Sequence, residues 1–237
     1  MPDRLESAPA EAPETVPSLD NLGEAFTPDG RKLTLYRRHG EYFIDLDNEQ
    51  LMSSWDHGSE EELARLGCAE LPDGDRPRVL IGGLGLGFTL RAALASLPRE
   101  ARVEVAEIFP AVVEWNRTHL RDLQGHLLDD PRVTVHQQDV RALLRRRGPY
   151  DAILLDVDNS PDGWCLKSNG RLYDRGGLAA LRATLKPGGC LAIWSAAPES
   201  PFVDRLRRSG FEARVQMVRS RGGKGPRFWI FLARRIG

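Results

Sequence analysis

The sequence predicts an α/β fold: a parallel sheet with helices on both faces, finished by an antiparallel hairpin and preceded by a small β-domain. Three observations predict it. From Arg78 onward, short apolar runs alternate with amphipathic helical stretches. A glycine-dense turn, Gly82-Gly83-Leu84-Gly85-Leu86-Gly87, follows the first of those runs. The last two runs, residues 211–218 and 227–233, alternate with period two across a basic, glycine-rich loop. Strands covered on both faces read as continuous apolar runs, whereas a half-buried hairpin alternates.

Composition bounds the answer. The chain has 237 residues, 41% hydrophobic and 28% charged, which suits a globular α/β domain with a small appendage. Lys+Arg number 33 against Asp+Glu 34, a net charge of −1 that argues against a dedicated nucleic-acid binder. Cys68, Cys165 and Cys190 are widely spaced and odd in number, so free thiols in a reducing compartment are expected. The five histidines show no metal-ligand spacing, and no metal is expected. With no secretory leader and no apolar stretch long enough to span a bilayer, the expectation is a cytoplasmic protein without a membrane partner.

In chain order, residues 1–20 are rich in Pro, Ala, Glu and Ser and are expected to form a disordered tail. Residues 21–70 are expected to form the small N-terminal β-domain. Its hairpin runs over 32–37 and 41–46 around Arg38-His39-Gly40, and a third strand over 50–53. Ser59 is expected to cap an acidic helix over 59–66. Residues 71–237 are expected to form the main domain, entered through a linker over 71–77. Its strands lie at 79–81, 103–106, 133–136, 152–155 and 190–194, with helices at 89–97, 110–120, 140–146, 177–185 and 202–209. Five parallel strands closed by an antiparallel pair is the class I AdoMet-methyltransferase (Rossmann-like) architecture; a dehydrogenase domain would not usually end this way.

Ligands of such sheets bind beyond the carboxyl ends of the strands. There, Gly83, Gly85 and Gly87 allow a nucleoside to approach the backbone. Glu107 ends the second strand 20 residues after Gly87, the placement of a carboxylate that grips a ribose diol. Asp139 and Val140 follow the third strand. They are candidates for the adenine edge, the acid accepting the amino group and the backbone N–H reading a ring nitrogen; the same Asp also suits a helix cap. Asp156 ends the fourth strand beside the glycine turn, where a carboxylate can hold an amine and take its proton. Trp194, at the end of the fifth strand, is a candidate lining residue for an acceptor.

With these residues in view, the chain resembles the spermidine synthases (polyamine aminopropyltransferases) over roughly residues 30–235. The family's glycine motif is similar to Gly83-Leu84-Gly85-Leu86-Gly87-Phe88-Thr89-Leu90-Arg91, and its strand-four motif to Asp156-Val157-Asp158-Asn159-Ser160. Leu172-Tyr173-Asp174 and Leu185-Lys186-Pro187-Gly188-Gly189 add to the likeness. The resemblance implies transfer of the aminopropyl group of decarboxylated AdoMet to a small amine such as putrescine. Asp156 would be the base, Glu107 and Asp139 would bind the nucleoside, and Asp158 or Asn159 would position the amine. It also implies a homodimer or larger assembly.

The departures lie on the acceptor side. Leu86 stands where the family has an Asp that holds the cofactor's amine tail, and Asn159 where it has a second Asp. In the segment from Gln50 to Glu61, Gln50 and Leu51 match the family with Glu61, while its Tyr-His pair is Ser59-Glu60. Gln50 is retained as a substrate candidate. Losing a carboxylate at Leu86 favours S-adenosylmethionine itself, so methyl transfer to a small molecule is the second reading. A non-catalytic nucleoside-binding protein is the third.

Overall fold

The computed structural model describes residues 19–27, 29–71, 76–146, 148–157, 169–198 and 200–237. Most of the expected 1–20 tail, the linker core, Asp158, Asn159, Trp164 and Cys165 lie outside the described residues.

The chain opens with a four-stranded antiparallel sheet in sequential order: β1 (Asp20–Phe26), β2 (Lys32–Arg38), β3 (Glu41–Leu46) and β4 (Glu49–Ser53). Its two inner hairpins turn through two residues each, with φ of 54° and 83° at His39-Gly40 and 50° and 68° at Asp47-Asn48. Positive φ at both central positions gives the turn the twist of the flanking strands. β1 had no clear signal in the sequence. It is an irregular edge strand with a register shift between Asn21 and Gly23, and its glycine lets Trp115 pack on the backbone. A Cβ at Gly23 would stand 2.5 Å from the indole nitrogen.

Helix α1 (Gly58–Ala69) follows. Ser59 lies inside this helix and does not cap it; its hydroxyl donates to Glu60 Oε2 at 2.5 Å. The helix packs on the large sheet through Gly67, where a Cβ would come within 2.3 Å of Leu154 Cδ2 and 3.1 Å of Ala192 Cβ.

The alternating part runs β5 (Arg78–Gly82), α2 (Phe88–Ser96), β6 (Arg102–Ala106), α3 (Pro110–Arg117), α4 (Arg121–Gln124), β7 (Val133–His136), α5 (Val140–Arg146), β8 (Tyr150–Leu155), α6 (Arg175–Thr184), β9 (Leu185–Ser195), α7 (Ser200–Arg208), β10 (Phe211–Arg221) and β11 (Lys224–Arg235). The seven strands order as β10-β11-β9-β8-β5-β6-β7. The five from β7 to β9 are parallel, and β11 joins β9 and β10 antiparallel. This is the α/β architecture expected from the alternation. The basic stretch over 219–226 is mostly strand rather than loop, because Gly222 and Gly223, with φ of 45° and 86°, close the hairpin in two residues.

One apolar core joins the two sheets. Leu33, Leu35, Ile44 and Leu46 of the small sheet cluster with Val79, Ile81, Leu90 and Val105 of the large one. The other face of the large sheet buries Leu80, Ile153 and Leu191 against α5, α6 and α7. The strand order switches direction at β5 and β8, so the crevice for a ligand opens at their carboxyl ends. Above that crevice stands the small sheet. No helix among the described residues is long and apolar enough to cross a membrane.

Candidate active site

The glycine turn is built by its neighbours. Gly83 has φ of 89°, and a Cβ there would lie 2.2 Å from the carbonyl oxygen of Asp156. Only glycine allows this close approach. Gly83 N–H donates to Ala106 O at 2.9 Å and Asp156 N–H to Gly82 O at 2.8 Å, so the turn is tied to the ends of both neighbouring strands. Two buried amides hold its carbonyls: Asn116 Nδ2 donates to Gly85 O at 2.8 Å and Gln124 Nε2 to Leu86 O at 2.7 Å. Gly87, also left-handed, starts α2. Leu86 is buried and contributes an apolar wall to the pocket beyond the turn.

Glu107 is 5% exposed at the end of β6. Its Oε2 accepts from Leu84 N–H at 2.9 Å and its Oε1 from Phe109 N–H at 2.8 Å. Burial pushes its carboxyl above the ordinary range, and these backbone donors partly offset that. The side chain therefore clamps the turn through the backbone N–H groups of Leu84, Gly85, Ile108 and Phe109 while lining the pocket.

Asp139 sits at the pocket edge with Gln138 and Val140. Arg141 grips it from two positions on, with Nη2 at 2.6 Å and Nε at 3.0 Å from Oδ2. Burial raises the Asp139 carboxyl, but the Arg141 guanidinium and backbone N–H more than offset this and hold it below the usual range. The acid is thus ionised and largely engaged by its own helix.

Asp156 stands just past β8, facing α2. Thr89, in the first turn of that helix, donates to Asp156 Oδ2 at 2.8 Å. The same hydroxyl lies 3.5 Å from the backbone oxygen of Glu60. Glu60, from the first turn of α1, lines the same pocket as Asp156. Removal from bulk water pushes Glu60 up to about 8, with the negative charge of Asp156 adding to it, and pushes Asp156 up to about 6. Two carboxylates sharing one enclosure cannot both ionise easily. Trp194 closes this side, packed on Phe228 with ring centroids 4.9 Å apart. Its Nε1 is buried and has no hydrogen-bond partner among the described residues.

The pocket thus brings together Gly83, Gly85, Leu86, Glu107, Asp139, Val140, Asp156 and Trp194. Gly87 lies behind it at the helix start. Gln50 is not brought in: it is exposed and lines a separate depression with Arg38, Glu41 and Trp55. The cause is a bulge. Ile44 pairs with Met52 and Asp45 with Gln50, leaving Leu51 unopposed, so Gln50 and Met52 fall on opposite faces instead of the same one. Leu51 and Met52 line the pocket in its place.

Sequence reasoning passed over Glu60, Thr89, Ile108, Phe109 and Gln138, all of which line the pocket. Thr89 had a signal, since it lies two residues past Gly87 in the first turn of the helix. Glu60 had only the resemblance, in which it stands at the position of the family's His, read there as a departure; its place over the sheet comes from the tertiary packing of α1. Among the described residues no Lys or Arg lines the pocket, and no group of three His, Cys, Asp or Glu could hold a metal.

Comparison with known proteins follows the same lines. No protein-family model matches the chain. It is 36% identical over 149 residues to a polyamine aminopropyltransferase of Mycobacterium tuberculosis, covering 59% of this chain and 27% of that protein. A polyamine aminopropyltransferase of Nitrosomonas europaea is 34% identical over 139 residues, covering 57% and 41%. The aligned stretch therefore spans less than half the length of these curated relatives. Among solved structures, spermidine synthase in complex with the transition state analogue AdoDATO superposes with a TM-score of 0.73 at 21% identity, covering 91% of this chain and 74% of that one. Spermidine synthase from Thermotoga maritima gives 0.72 at 17% identity, covering 91% and 72%. The chain is spermidine synthase-like: its fold is that of the spermidine synthases, and its sequence is similar to the polyamine aminopropyltransferases.

Proposed function

We propose that the protein transfers an aminopropyl group from decarboxylated AdoMet to a small amine. The observation that carries this reading is Asp156, oriented by Thr89 beside the glycine turn in a pocket whose described lining is free of Lys and Arg. The residues present fit the nucleoside. Glu107 offers its carboxylate to a ribose, and Leu86, Ile108, Phe109 and Val140 offer apolar walls to a flat base. Asp139 and the backbone of Val140 would take the base edge. When bound, the co-substrate supplies an electrophilic methylene next to a sulfonium. Asp156 would hold the acceptor nitrogen in line with that carbon and take its proton as the C–N bond forms. The C–S bond breaks, and sulfur keeps the electron pair as a neutral thioether.

The chemistry of the pocket also chooses between donors. AdoMet carries a carboxylate that its decarboxylated form lacks. Asp156 and Glu60 do not both ionise easily, so together they present one negative charge near neutral pH. At ~4 Å and an effective dielectric of ~20, its repulsion of the AdoMet carboxylate would cost roughly 4 kcal/mol. That repulsion outweighs the preference for AdoMet suggested by Leu86, and it makes methyl transfer the weaker reading.

The test is a product assay with decarboxylated AdoMet and 1,4-diaminobutane, read by mass spectrometry. Methylthioadenosine and the N-aminopropyl product are expected in equal amounts. A methylated amine formed from AdoMet, with no aminopropyl product from a panel of di- and polyamines, would overturn the reading.

A further inference from the structure

Glu60 has no part in the chemistry above, yet it shares a pocket with the proposed base. The two carboxylates come from elements far apart in the chain, the first turn of α1 and the end of β8. One hydroxyl ties Asp156 to the first turn of α1: Thr89 Oγ1 donates to Asp156 Oδ2 at 2.8 Å and lies 3.5 Å from the backbone oxygen of Glu60. The Glu60 carboxyl receives a short bond from its neighbour Ser59, to Oε2 at 2.5 Å, and one from its own backbone N–H. Asp56 adds a further negative charge nearby. The nearest cation on α2, Arg91, is bound at 2.6 Å to Glu61 rather than to Glu60. His57 turns its Nδ1 to the Ser54 carbonyl at 2.7 Å and places its Nε2 3.6 Å from Glu61. Across the pocket, the buried Trp194 Nε1 has no hydrogen-bond partner among the described residues, a polar group that a ligand would complete.

Resting on the reading of the site as an aminopropyltransferase, we propose that Glu60 and Asp156 act as one dyad, seating the reacting nitrogen of the acceptor as an ammonium ion between them. In the empty site the dyad keeps one proton, because two bare carboxylates in one enclosure repel. When the ammonium enters, that proton leaves to solvent and the cation takes its place. During transfer the ammonium first gives a proton to the dyad. The freed nitrogen lone pair then bonds to carbon while the carbon–sulfur electron pair goes to sulfur, so the positive charge passes from the sulfonium to the product nitrogen. The dyad and its occupant therefore hold one net negative charge at the start, after binding and after proton transfer. Glu60 thereby supplies the charge that selects a cationic acceptor, and it shares the proton with Asp156.

The test is calorimetry of 1,4-diaminobutane binding to the full chain saturated with methylthioadenosine, in buffers of different ionisation enthalpy, for the wild type and Glu60→Gln. The wild type is expected to release about one proton per acceptor bound near neutral pH. Glu60→Gln is expected to release close to none and to raise KM for the diamine at least about tenfold, while methylthioadenosine affinity stays within about threefold. A buffer-independent enthalpy in the wild type would overturn the dyad without need of any variant. So would an unchanged diamine KM in a Glu60→Gln protein that binds methylthioadenosine normally. If the wild type itself fails to bind methylthioadenosine, the reading of the whole site falls, and the dyad with it.

Discussion

Replacing Asp156 by Asn is expected to lower kcat by about 10²–10⁴-fold, the usual contribution of a positioned general base, while leaving nucleoside affinity nearly unchanged. The isosteric amide keeps the contact with Thr89, which bonds Asp156 Oδ2 at 2.8 Å, but it cannot accept the proton of an ammonium. The same substitution should stabilise the fold at neutral pH. The Asp156 carboxyl is raised from 3.8 to about 6 in the folded protein, first by desolvation. A raised carboxyl binds its proton more tightly when folded. Its contribution to stability is therefore full below the unfolded value and is lost as pH rises through the folded one. Asn has nothing to lose over that interval. Thermal melts should show the variant gaining on the wild type as pH rises from 4 through about 6 to 7. A slower but more stable protein is the expected combination. Full turnover in this variant would remove Asp156 from the chemistry. A melting difference that does not change with pH would contradict its raised carboxyl.

Gly83→Ala is expected to have the largest effect on stability and nucleoside binding together. The new Cβ would lie 2.2 Å from Asp156 O and 3.0 Å from Asp156 C, both backbone atoms that no rotamer change can move aside. The residue would also have to hold φ of 89°. Strain and overpacking of this kind cost about 2–5 kcal/mol together. Relief requires parting the glycine turn from the end of β8, which moves Asp156 away from the turn. A denaturant titration should show the lost stability, and methylthioadenosine binding should weaken at least about tenfold. A variant within about 0.5 kcal/mol of the wild type, the usual range for a surface change, would mean that the turn is not pinned as described.

Much of the fold was legible because its signals are local. Continuous apolar runs such as Val79-Leu80-Ile81 announce buried parallel strands, and the alternation in 211–218 announces the half-covered edge of the hairpin. Residues 228–233 are continuously apolar because β11 lies between β9 and β10. The glycine turn, Glu107 and Asp139 follow strand ends, so topology alone brings them to one edge. β1 was not legible, because an edge strand with a glycine and a register shift lacks a clean period. Gln50, a candidate because it matches the family motif, lies outside the pocket for a related reason. Strand parity puts it on the face of Met52, and only the bulge at Leu51, set by pairing with β3, reverses this. In the sequence, Glu60 reads as an acid in a helix's first turn and as a departure from the family's Tyr-His pair. Its place beside Asp156 depends on how α1 lies across the large sheet, which is fixed by packing at Gly67 against Leu154 and Ala192. In the sequence, Leu86 pointed toward AdoMet. The tertiary placement of a second carboxylate at Glu60 reverses that preference.

The preference between the two donors decides between aminopropyl and methyl transfer. Titrating the protein with decarboxylated AdoMet and with AdoMet in the same buffer at neutral pH compares two ligands that differ by one carboxylate. Decarboxylated AdoMet is expected to bind at least about tenfold more tightly, a difference of about 1.4 kcal/mol. Equal or tighter binding of AdoMet would contradict aminopropyl transfer at this site and favour methyl transfer.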